Sequence, residues 1–348
     1  MPNNGRLTVR VRLEDAVALA FFFFYLTLAL FFQEMRQQPA DPINVLIVVP
    51  GICVLLVKEL VHYFVAGKPV HLESAEGLGE FIRPYWVILR DWLPFLMVLL
   101  MYFTLWGNAT HMVITHDRDL ELIAWDQRLF GFQASVAMQK IVSPPLTAWM
   151  EFSYFFHLPN IPIVACFLYI WRPRERFREM MCGVLTVTAV GLMGYLLVPG
   201  IGPMYSLRDQ FTVPLSQPLA ILSQQAAFVD FARVQRDVFP SLHVGISFVV
   251  WLYAYRNSKR LFWILSPFIL SLWVSTVYLR YHYLVDVVAG LILAPLCFWF
   301  SNWMFKRMGI ITVAFRLPER WAERIRRFRA SPAPEPAKTV ERVEGGHD

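Results

Sequence analysis

The chain is divided into long apolar blocks that are separated by short charged or polar segments. A helix needs roughly 20 predominantly apolar residues to cross a bilayer, and several blocks reach this length. Charged residues make up only 17% of the chain, whereas soluble globular domains carry about 25%. The pattern therefore predicts an all-α, polytopic membrane helical bundle. We expect about eight transmembrane helices, near residues 15–33, 43–66, 84–107, 146–170, 180–198, 241–256, 261–280 and 285–305.

Two of the predicted helices are interrupted by charged pairs. Lys58 and Glu59 lie in the second block, and Arg90 and Asp91 lie in the third. Each pair is either an internal ion pair or the mark of the end of a membrane-spanning segment. We favour span ends, from which long side chains can extend their charges to the membrane surface.

The basic residues lie mostly in short segments between the apolar blocks, and this distribution predicts how the helices are oriented. With eight helices, all four basic clusters fall on one side, which the positive-inside rule assigns to the cytoplasm together with both termini. The segment 108–145 then lies on the exoplasmic side, where we expect short helices at the membrane surface. Because the net charge of +6 has this explanation, we expect no nucleic-acid binding. The clusters lie in residues 6–12, 172–178, 256–260 and 306–307.

Two short segments place a histidine at the edge of an apolar block. Ionisable groups near hydrocarbon are costly, so they are found there mainly where they have a function. The predicted helix that begins near His243 and the one that ends near His282 have similar lengths and share a short connection. An antiparallel pair of this kind returns both ends to one level, so we expect the two rings to lie close together. If the next segment is helical, Asp286 shares a face with His282.

This trio has the composition of a phosphoryl-transfer site. Asp286 can accept a hydrogen bond from one ring nitrogen of His282, which leaves the other nitrogen as a nucleophile toward phosphorus. Protonated His243 can donate to the departing oxygen and later take a proton from water or an alcohol. The helix start beside His282 also offers unpaired backbone N–H groups, where we expect a phosphate oxyanion to bind.

Phosphate also requires positive charge, and guanidinium groups suit it because their donors form a fork. Arg280 is the first candidate, followed by Arg208 and Arg236, and Ser241 can add a hydroxyl or backbone contact. Two histidines and one aspartate could instead be metal ligands. No clean further ligands accompany them, so we expect no metal and no other cofactor.

These residues resemble the motifs of the type 2 phosphatidic acid phosphatase superfamily. That family has a Pro-Ser-Gly-His motif, which residues 240–243 match except for Leu242 in place of glycine. Its second motif, Ser-Arg-x5-His-x3-Asp, matches residues 275–286 in spacing, but Thr276 stands where the family has arginine. The family's Lys-x6-Arg-Pro motif is absent. With these departures the two motifs resemble those of the inositolphosphotransferase branch, which contains the inositol-phosphorylceramide synthases. The segments near residues 126–131 and 199–205 also resemble that branch.

The resemblance implies a helical bundle with a six-helix, phosphatase-like core at residues 84–305. It also implies that His282 is the nucleophile, that His243 is the acid, that Asp286 orients His282, and that no metal takes part. Two membrane helices at 1–83 would form an N-terminal anchor. Residues 306–348 would form a basic cytoplasmic tail that is partly disordered, in which 316–329 reads either as a helix on an anionic leaflet or as an ordinary basic flank.

We therefore expect an integral membrane enzyme with an exoplasmic active site that transfers a phosphorylated head group, such as inositol phosphate, to a lipid alcohol through a phosphohistidine. Its partners would be membrane lipids and a phospholipid or isoprenoid phosphate substrate. Two alternatives stay open. One is hydrolysis of phosphatidic acid or of a prenyl (di)phosphate, and the other is a non-catalytic lipid-binding protein or a transporter.

A third histidine, His157, lies in the fourth apolar block beside Pro159 and Pro162. Two prolines in one turn predict a bend in the helix. We expect His157 or Asn160 to bond the backbone carbonyls that the bend frees, with a substrate contact as the alternative.

Overall fold

The computed structural model describes residues 6–31, 53, 55–59, 75–102, 110–111, 113–215 and 236–316. The chain forms two compact units. The larger unit, Leu13–Gly309, is helical, and the smaller unit combines the two terminal segments that flank it. The all-α bundle that the sequence predicts is therefore confirmed for the larger unit.

The smaller unit contains a two-stranded antiparallel sheet. Strand β1, Arg6–Arg12, pairs with strand β2, Ile310–Arg316, so that Arg6 lies opposite Arg316 and Arg12 opposite Ile310. The sequence analysis predicts no strand here. Neither segment can form a sheet by itself, because each strand needs the other as its hydrogen-bond partner. The two strands come from opposite ends of the chain, so neither segment alone indicates the pairing. The helix considered at 316–329 falls almost entirely outside the described residues.

The larger unit alternates long helices with short ones. The described part of the segment 108–145, where short helices are expected, includes the short helices α3 and α4, followed by a 3-10 turn at Met138–Ile141. A second 3-10 turn, Arg208–Gln210, follows α8. In chain order the helices are α1 Leu13–Phe31, α2 Ala75–Met101, α3 Asp119–Phe130, α4 Ala134–Ala137, α5 Pro144–Phe155, α6 His157–Trp171, α7 Arg174–Leu197, α8 Pro203–Ser206, α9 Leu242–Asn257, α10 Lys259–Tyr278 and α11 Leu284–Met308.

Among the described residues, four helices are long and apolar enough to cross a membrane, and the pair α5–α6 passes the same test as one broken helix. The two halves of this pair are bent by 47°, which confirms the bend predicted from the prolines. The helix predicted at 43–66 lies mostly outside the described residues, so the count of eight stays a prediction. The four helices are Phe81–Met101 within α2, α7, α10 and α11.

Helix α9 is the centre of the larger unit, because it packs against α6, α7, α10 and α11. Its contact with α11 is close at Gly290, where a Cβ atom would lie 2.6 Å from the backbone oxygen of Ser241. Glycine is needed at this position for the two backbones to approach. This approach brings the first residues of α9 against the first turns of α11, which carry the predicted site.

Arg90 and Asp91 do not mark a helix end, because α2 continues on both sides of them. Arg90 donates to Asp15 of α1, and Arg174 of α7 donates to Asp91 with an Nη2–Oδ1 distance of 2.6 Å. Both residues therefore form ion pairs with other helices, and the interpretation that they mark the end of a membrane-spanning segment stays a prediction. Lys58 and Glu59 form an ion pair with each other at 2.6 Å.

A further ion pair joins α7 to α1, and Glu179 of α7 interacts with an arginine of its own helix and with one of α9. Arg178 donates to Glu14 at 2.5 Å, whereas Glu179 accepts from Arg176 and lies 3.5 Å from Arg256. We call this part of the unit the ion-paired end. It consists of Glu14, Asp15, Arg90, Asp91, Arg174, Arg176, Arg178, Glu179 and Arg256.

Candidate active site

The predicted site lies where α9 and α11 begin. Ser241, the residue before α9, donates its backbone N–H to the backbone oxygen of Asp286 in the first turn of α11, at 3.0 Å. Because this bond joins the two helix starts, it fixes the level at which His243 and Asp286 face each other. We call this part of the larger unit the histidine end.

The structure brings the three predicted catalytic side chains into a chain of contacts. His243 Nδ1 lies 3.2 Å from His282 Nε2, and His282 Nδ1 lies 3.4 Å from Asp286 Oδ2. His282 is 3% exposed and Asp286 is fully buried. The proximity of the two rings, which the antiparallel helix argument predicts, is therefore confirmed.

The contacts also distinguish the two nitrogens of His282. A buried carboxylate beside Nδ1 favours the tautomer in which that nitrogen carries the proton, so Nε2 keeps its lone pair. Nε2 is the nitrogen that faces His243. The arrangement can therefore present one nucleophilic nitrogen and one acid or base to the same atom.

The turn before His282 is held by backbone hydrogen bonds. Arg280 has a positive φ of 68°, and the N–H groups of Tyr281 and His282 both donate to the backbone oxygen of Thr276 at 3.0 Å. Thr276 stands where the resembling family has arginine. Its hydroxyl donates to the oxygen of Trp273 at 2.7 Å, so in this chain the position shapes the turn.

The first N–H groups of α11 are occupied by carboxylates. Tyr283 donates to Asp286 at 2.8 Å, and Leu284 and Val285 donate to Asp126 at 3.0 and 2.8 Å. The expectation of a phosphate oxyanion at this helix start is therefore wrong. Asp126 already supplies the negative charge that these donors favour.

Asp126 belongs to the short helix α3, which also carries a second buried carboxylate. Asp119 accepts from Ile201 and Gly202 at 2.9 Å and from the Tyr283 hydroxyl at 2.7 Å. Burial raises the pKa of the carboxyl of Asp126 and that of the Tyr283 phenol. Helix α3 thus holds both the segment after α7 and the segment before α11.

Sequence reasoning did not assign a role to either carboxylate. A usable signal is present, because Asp119, Leu122 and Asp126 are the buried residues of α3 and recur with helical spacing. Two acids on the buried face of a short helix require partners inside the protein. The sequence cannot identify those partners, which lie about 80 and 160 residues further along the chain.

The three candidate arginines differ in what surrounds them. Arg236 is 2% exposed, and its donors are taken by Asp117 and by the backbone oxygens of Thr110 and Ile114. Arg236 therefore braces the segment before α9, which is a different role from the phosphate contact considered for it.

Arg280 and Arg208 lie closer to the turn that carries His282. Arg280 donates to the backbone oxygen of Val213, its guanidinium lies 4.1 Å from the ring centroid of Phe211, and burial lowers its pKa. Arg208 is exposed, and the described residues give its side chain no partner. The turn that carries Arg208 follows α8, and α8 is hydrogen-bonded to the segment before His282, because the Met204 N–H donates to the backbone oxygen of Arg280 at 2.8 Å.

Three residues near the start of α9 or in the first turn of α6 have unused hydrogen-bonding capacity. Ser241 is fully buried, and its hydroxyl has no partner among the described residues. His157 Nδ1 and both amide atoms of Asn160 are likewise buried and have no partner there. The expectation that His157 or Asn160 bonds the carbonyls freed by the bend is therefore wrong.

No group of three or more histidine, cysteine, aspartate or glutamate side chains in the described part of the chain has a metal-binding arrangement. The absence of a metal and of a cofactor from the reaction stays a prediction.

A sequence model described as the PAP2 superfamily matches residues 120–300, just over half of the chain. The matched part includes His243, His282 and Asp286. A curated protein of Bacteroides thetaiotaomicron, phosphoinositol dihydroceramide synthase, is 25% identical over 178 residues. The alignment covers 47% of this chain and 57% of that protein. No solved structure matches the chain.

Proposed function

The chain belongs to the PAP2 superfamily and is a membrane enzyme of the phosphatase and phosphotransferase class; we propose that it transfers a phosphorylated head group between lipids through a phosphohistidine. The observation that carries this proposal is the chain of contacts from Asp286 through His282 to His243. It joins an orienting carboxylate, a nucleophilic nitrogen and a proton carrier, which is what a two-step transfer requires.

In the first step, His282 Nε2 forms a bond to phosphorus, and the bond from phosphorus to the leaving oxygen of the donor lipid breaks. The leaving oxygen keeps the electron pair and takes a proton from His243. In the second step, the oxygen of an acceptor hydroxyl bonds to phosphorus and gives its proton to His243. The phosphorus–nitrogen bond breaks, and its electron pair returns to Nε2.

The head group is proposed to be inositol phosphate, and the acceptor is proposed to be a lipid alcohol. The name of the Bacteroides relative supports this choice, as does the match of residues 240–243 and 275–286 to the inositolphosphotransferase branch. Water as the acceptor would make the same site a lipid phosphate phosphatase. The proposed catalytic part is residues 84–305, between an anchor at 1–83 and a tail at 306–348.

The test is a search for the covalent intermediate. Purified protein incubated with phosphatidylinositol labelled at phosphorus should become labelled, with a bond that is stable to base and labile to acid. His282→Ala should abolish the label, and the exposed His116→Ala should keep it. Equal labelling of the His282→Ala variant would overturn the phosphohistidine mechanism. Mass spectrometry of the lipids formed from added ceramide or diacylglycerol distinguishes transfer from hydrolysis.

The phosphate oxygens are proposed to contact the unpartnered Ser241 hydroxyl and the cations of Arg208 and Arg280. Charge-assisted bonds to phosphate are the strong ones, so Arg208→Ala should raise the KM of the donor lipid about tenfold. Arg236→Ala should instead reduce stability, because the backbone oxygens of Thr110 and Ile114 lose their donor. A raised KM of the donor lipid in the Arg236→Ala variant, with an unchanged unfolding midpoint, would instead indicate that Arg236 contacts the phosphate.

The histidine end is proposed to face the exoplasmic side, with both termini in the cytoplasm. The support is the opposite end of the same helices, where α9 and α10 are connected by a basic turn that contains Arg256, Lys259 and Arg260. In a cysteine-free background, a membrane-impermeant maleimide should label Gln210→Cys in intact cells and should label Arg260→Cys only after permeabilisation. The reverse pattern would overturn this orientation.

A further inference from the structure

Three polar residues follow one another on the bent pair α5–α6. Ser153 lies in the last turn of α5, and His157 and Asn160 lie in the first turn of α6, so the three follow one another across the bend. Ser153 and Asn160 are both fully buried. We call these three residues the polar stripe.

The polar stripe has no internal hydrogen-bond partners in the described part of the chain. The Ser153 hydroxyl, Nδ1 of His157 and both amide atoms of Asn160 are buried and unpartnered. A buried polar group without a partner destabilises a protein, and native proteins contain few of them. Several such groups close together in the chain therefore indicate that something polar completes them.

The polar stripe adjoins the proposed acid and base. The ring centroid of His157 lies 4.5 Å from that of His243, and the ring of Tyr154 stacks on His243 at 4.7 Å. The centroid of His282 lies 5.4 Å from that of His243. His243 thus lies beside the proposed nucleophile and, at the same time, beside His157, the middle residue of the polar stripe.

We infer that the polar stripe binds the hydroxyl group of the acceptor lipid, an inference that rests on the proposed transfer reaction. An amide and a serine hydroxyl each donate and accept, and a hydroxyl guest can meet both needs. The stripe contains no arginine or lysine, so it suits an uncharged hydroxyl better than phosphate. His157, Asn160 and Ser153 are then the residues that specify a hydroxylated acceptor.

The surroundings of the stripe indicate that this hydroxyl belongs to a lipid. On the same two helices Trp149, Phe152 and Ile163 are about 40% exposed, as expected for side chains that face acyl chains in a membrane helix. An acceptor that approaches between these helices arrives from the bilayer. Its hydroxyl oxygen then bonds to phosphorus as described above, and its proton passes to the adjacent His243.

The experiment separates the two halves of the reaction. The phosphoenzyme is first formed with labelled phosphatidylinositol and is then chased with a short-chain ceramide or with dioctanoylglycerol. Asn160→Leu keeps the size of the side chain and removes its polar atoms. We expect normal phosphoenzyme formation and an increase of about fivefold in the acceptor concentration that gives half-maximal transfer.

The other two positions give graded variants with a matched control. His157→Phe keeps a ring beside His243 but removes its nitrogens, and Ser153→Ala removes one hydroxyl. Both variants should raise the acceptor concentration that gives half-maximal transfer, as we expect for Asn160→Leu. Ser301→Ala is the control, because Ser301 is equally buried but donates to the backbone oxygen of Phe298 at 3.1 Å in the last turns of α11. It should leave transfer unchanged.

The outcomes separate this inference from the proposed function. If no phosphoenzyme forms in the unaltered protein, the transfer mechanism itself fails. If it forms and Asn160→Leu transfers normally while unfolding at a higher temperature, the stripe is merely an unsatisfied or hydrated packing defect, and the inference is overturned. A fall in transfer together with a higher unfolding temperature supports it, because only a functional group is retained at a cost to stability.

Discussion

The two ends of the helical unit bury polar groups in different ways. At the ion-paired end, the carboxylates of Glu14 and Asp91 are almost fully buried, and each is met by an arginine of α7. At the histidine end, Ser241 and Asn160 are fully buried and have no side-chain partner among the described residues. The same helices run between the two ends, so the difference is local.

This difference separates groups that pair with other helices from groups for which we propose a ligand. A buried ion pair contributes little net stability, but the loss of one partner is expensive because it leaves the other charge buried and uncompensated. Unpartnered groups have no partner to lose, and they are tolerated where substrate binding completes them. Changes at one end should therefore affect stability, and changes at the other end should affect turnover.

The largest expected effect is at the histidine end. His243→Phe keeps an aromatic ring against Tyr154 but removes the acid and base. We expect turnover to fall about 10³-fold, while the midpoint of thermal unfolding in detergent stays within a degree or so of the unaltered protein, since a similar ring still packs. A large loss of stability in this variant would break the comparison.

The next effect concerns the ion-paired end. Glu14→Gln leaves the buried guanidinium of Arg178 without its counter-charge, and we expect a loss of about 3 kcal/mol in the free energy of unfolding. Turnover per folded molecule should not change. Glu121→Gln is the control, because its pair with Arg118 is well exposed and should contribute less than about 0.5 kcal/mol. Equal losses in the two variants would contradict the structural role.

An intermediate effect is expected where the two functions meet. Asp126→Ala removes the carboxylate that accepts from the first N–H groups of α11. We expect a stability loss of about 1–2 kcal/mol. Because the same helix turn carries Asp286, kcat should fall about tenfold with little change in KM. The control is Asp209→Ala, at an exposed position in the turn after α8, which should change neither stability nor kcat. A change in KM alone in the Asp126→Ala variant would exclude a positioning role for Asp126.

The smallest effect is a pH dependence of stability. Burial raises the pKa of Asp126 in the folded state, so folding favours the protonated carboxyl. This contribution is complete below the unfolded value of 3.8 and is lost as pH rises through the folded pKa. Asp126→Asn should therefore gain stability relative to the unaltered protein as pH rises through that window. Parallel unfolding midpoints of the two proteins across the window would contradict the shift.

Much of the fold and of the candidate site could be predicted from local sequence. The apolar blocks predict the long helices, and the two prolines predict the bend between α5 and α6. The convergence of His243 and His282 follows from two helices of matched length with a short connection. These features depend on residues close together in the chain, or on helix lengths alone.

The remainder depends on partners that are distant in sequence. The pairing of β1 with β2, the ion pairs of Arg90 and Asp91, and the carboxylates of α3 at the start of α11 were not predicted. Each requires two elements to meet in one register, and many partners satisfy the same local pattern. The position of Arg236 illustrates this, since the sequence favours a phosphate contact for it until its backbone acceptors are known.

The sequence by itself predicted a membrane helical bundle and singled out the two histidines and the aspartate that the structure brings together. Only the tertiary structure decided which buried polar groups are already satisfied and which are left for a ligand. The physical reason is that hydrophobic length is a property of each segment, whereas the satisfaction of a buried hydrogen bond is a property of two atoms that folding brings together.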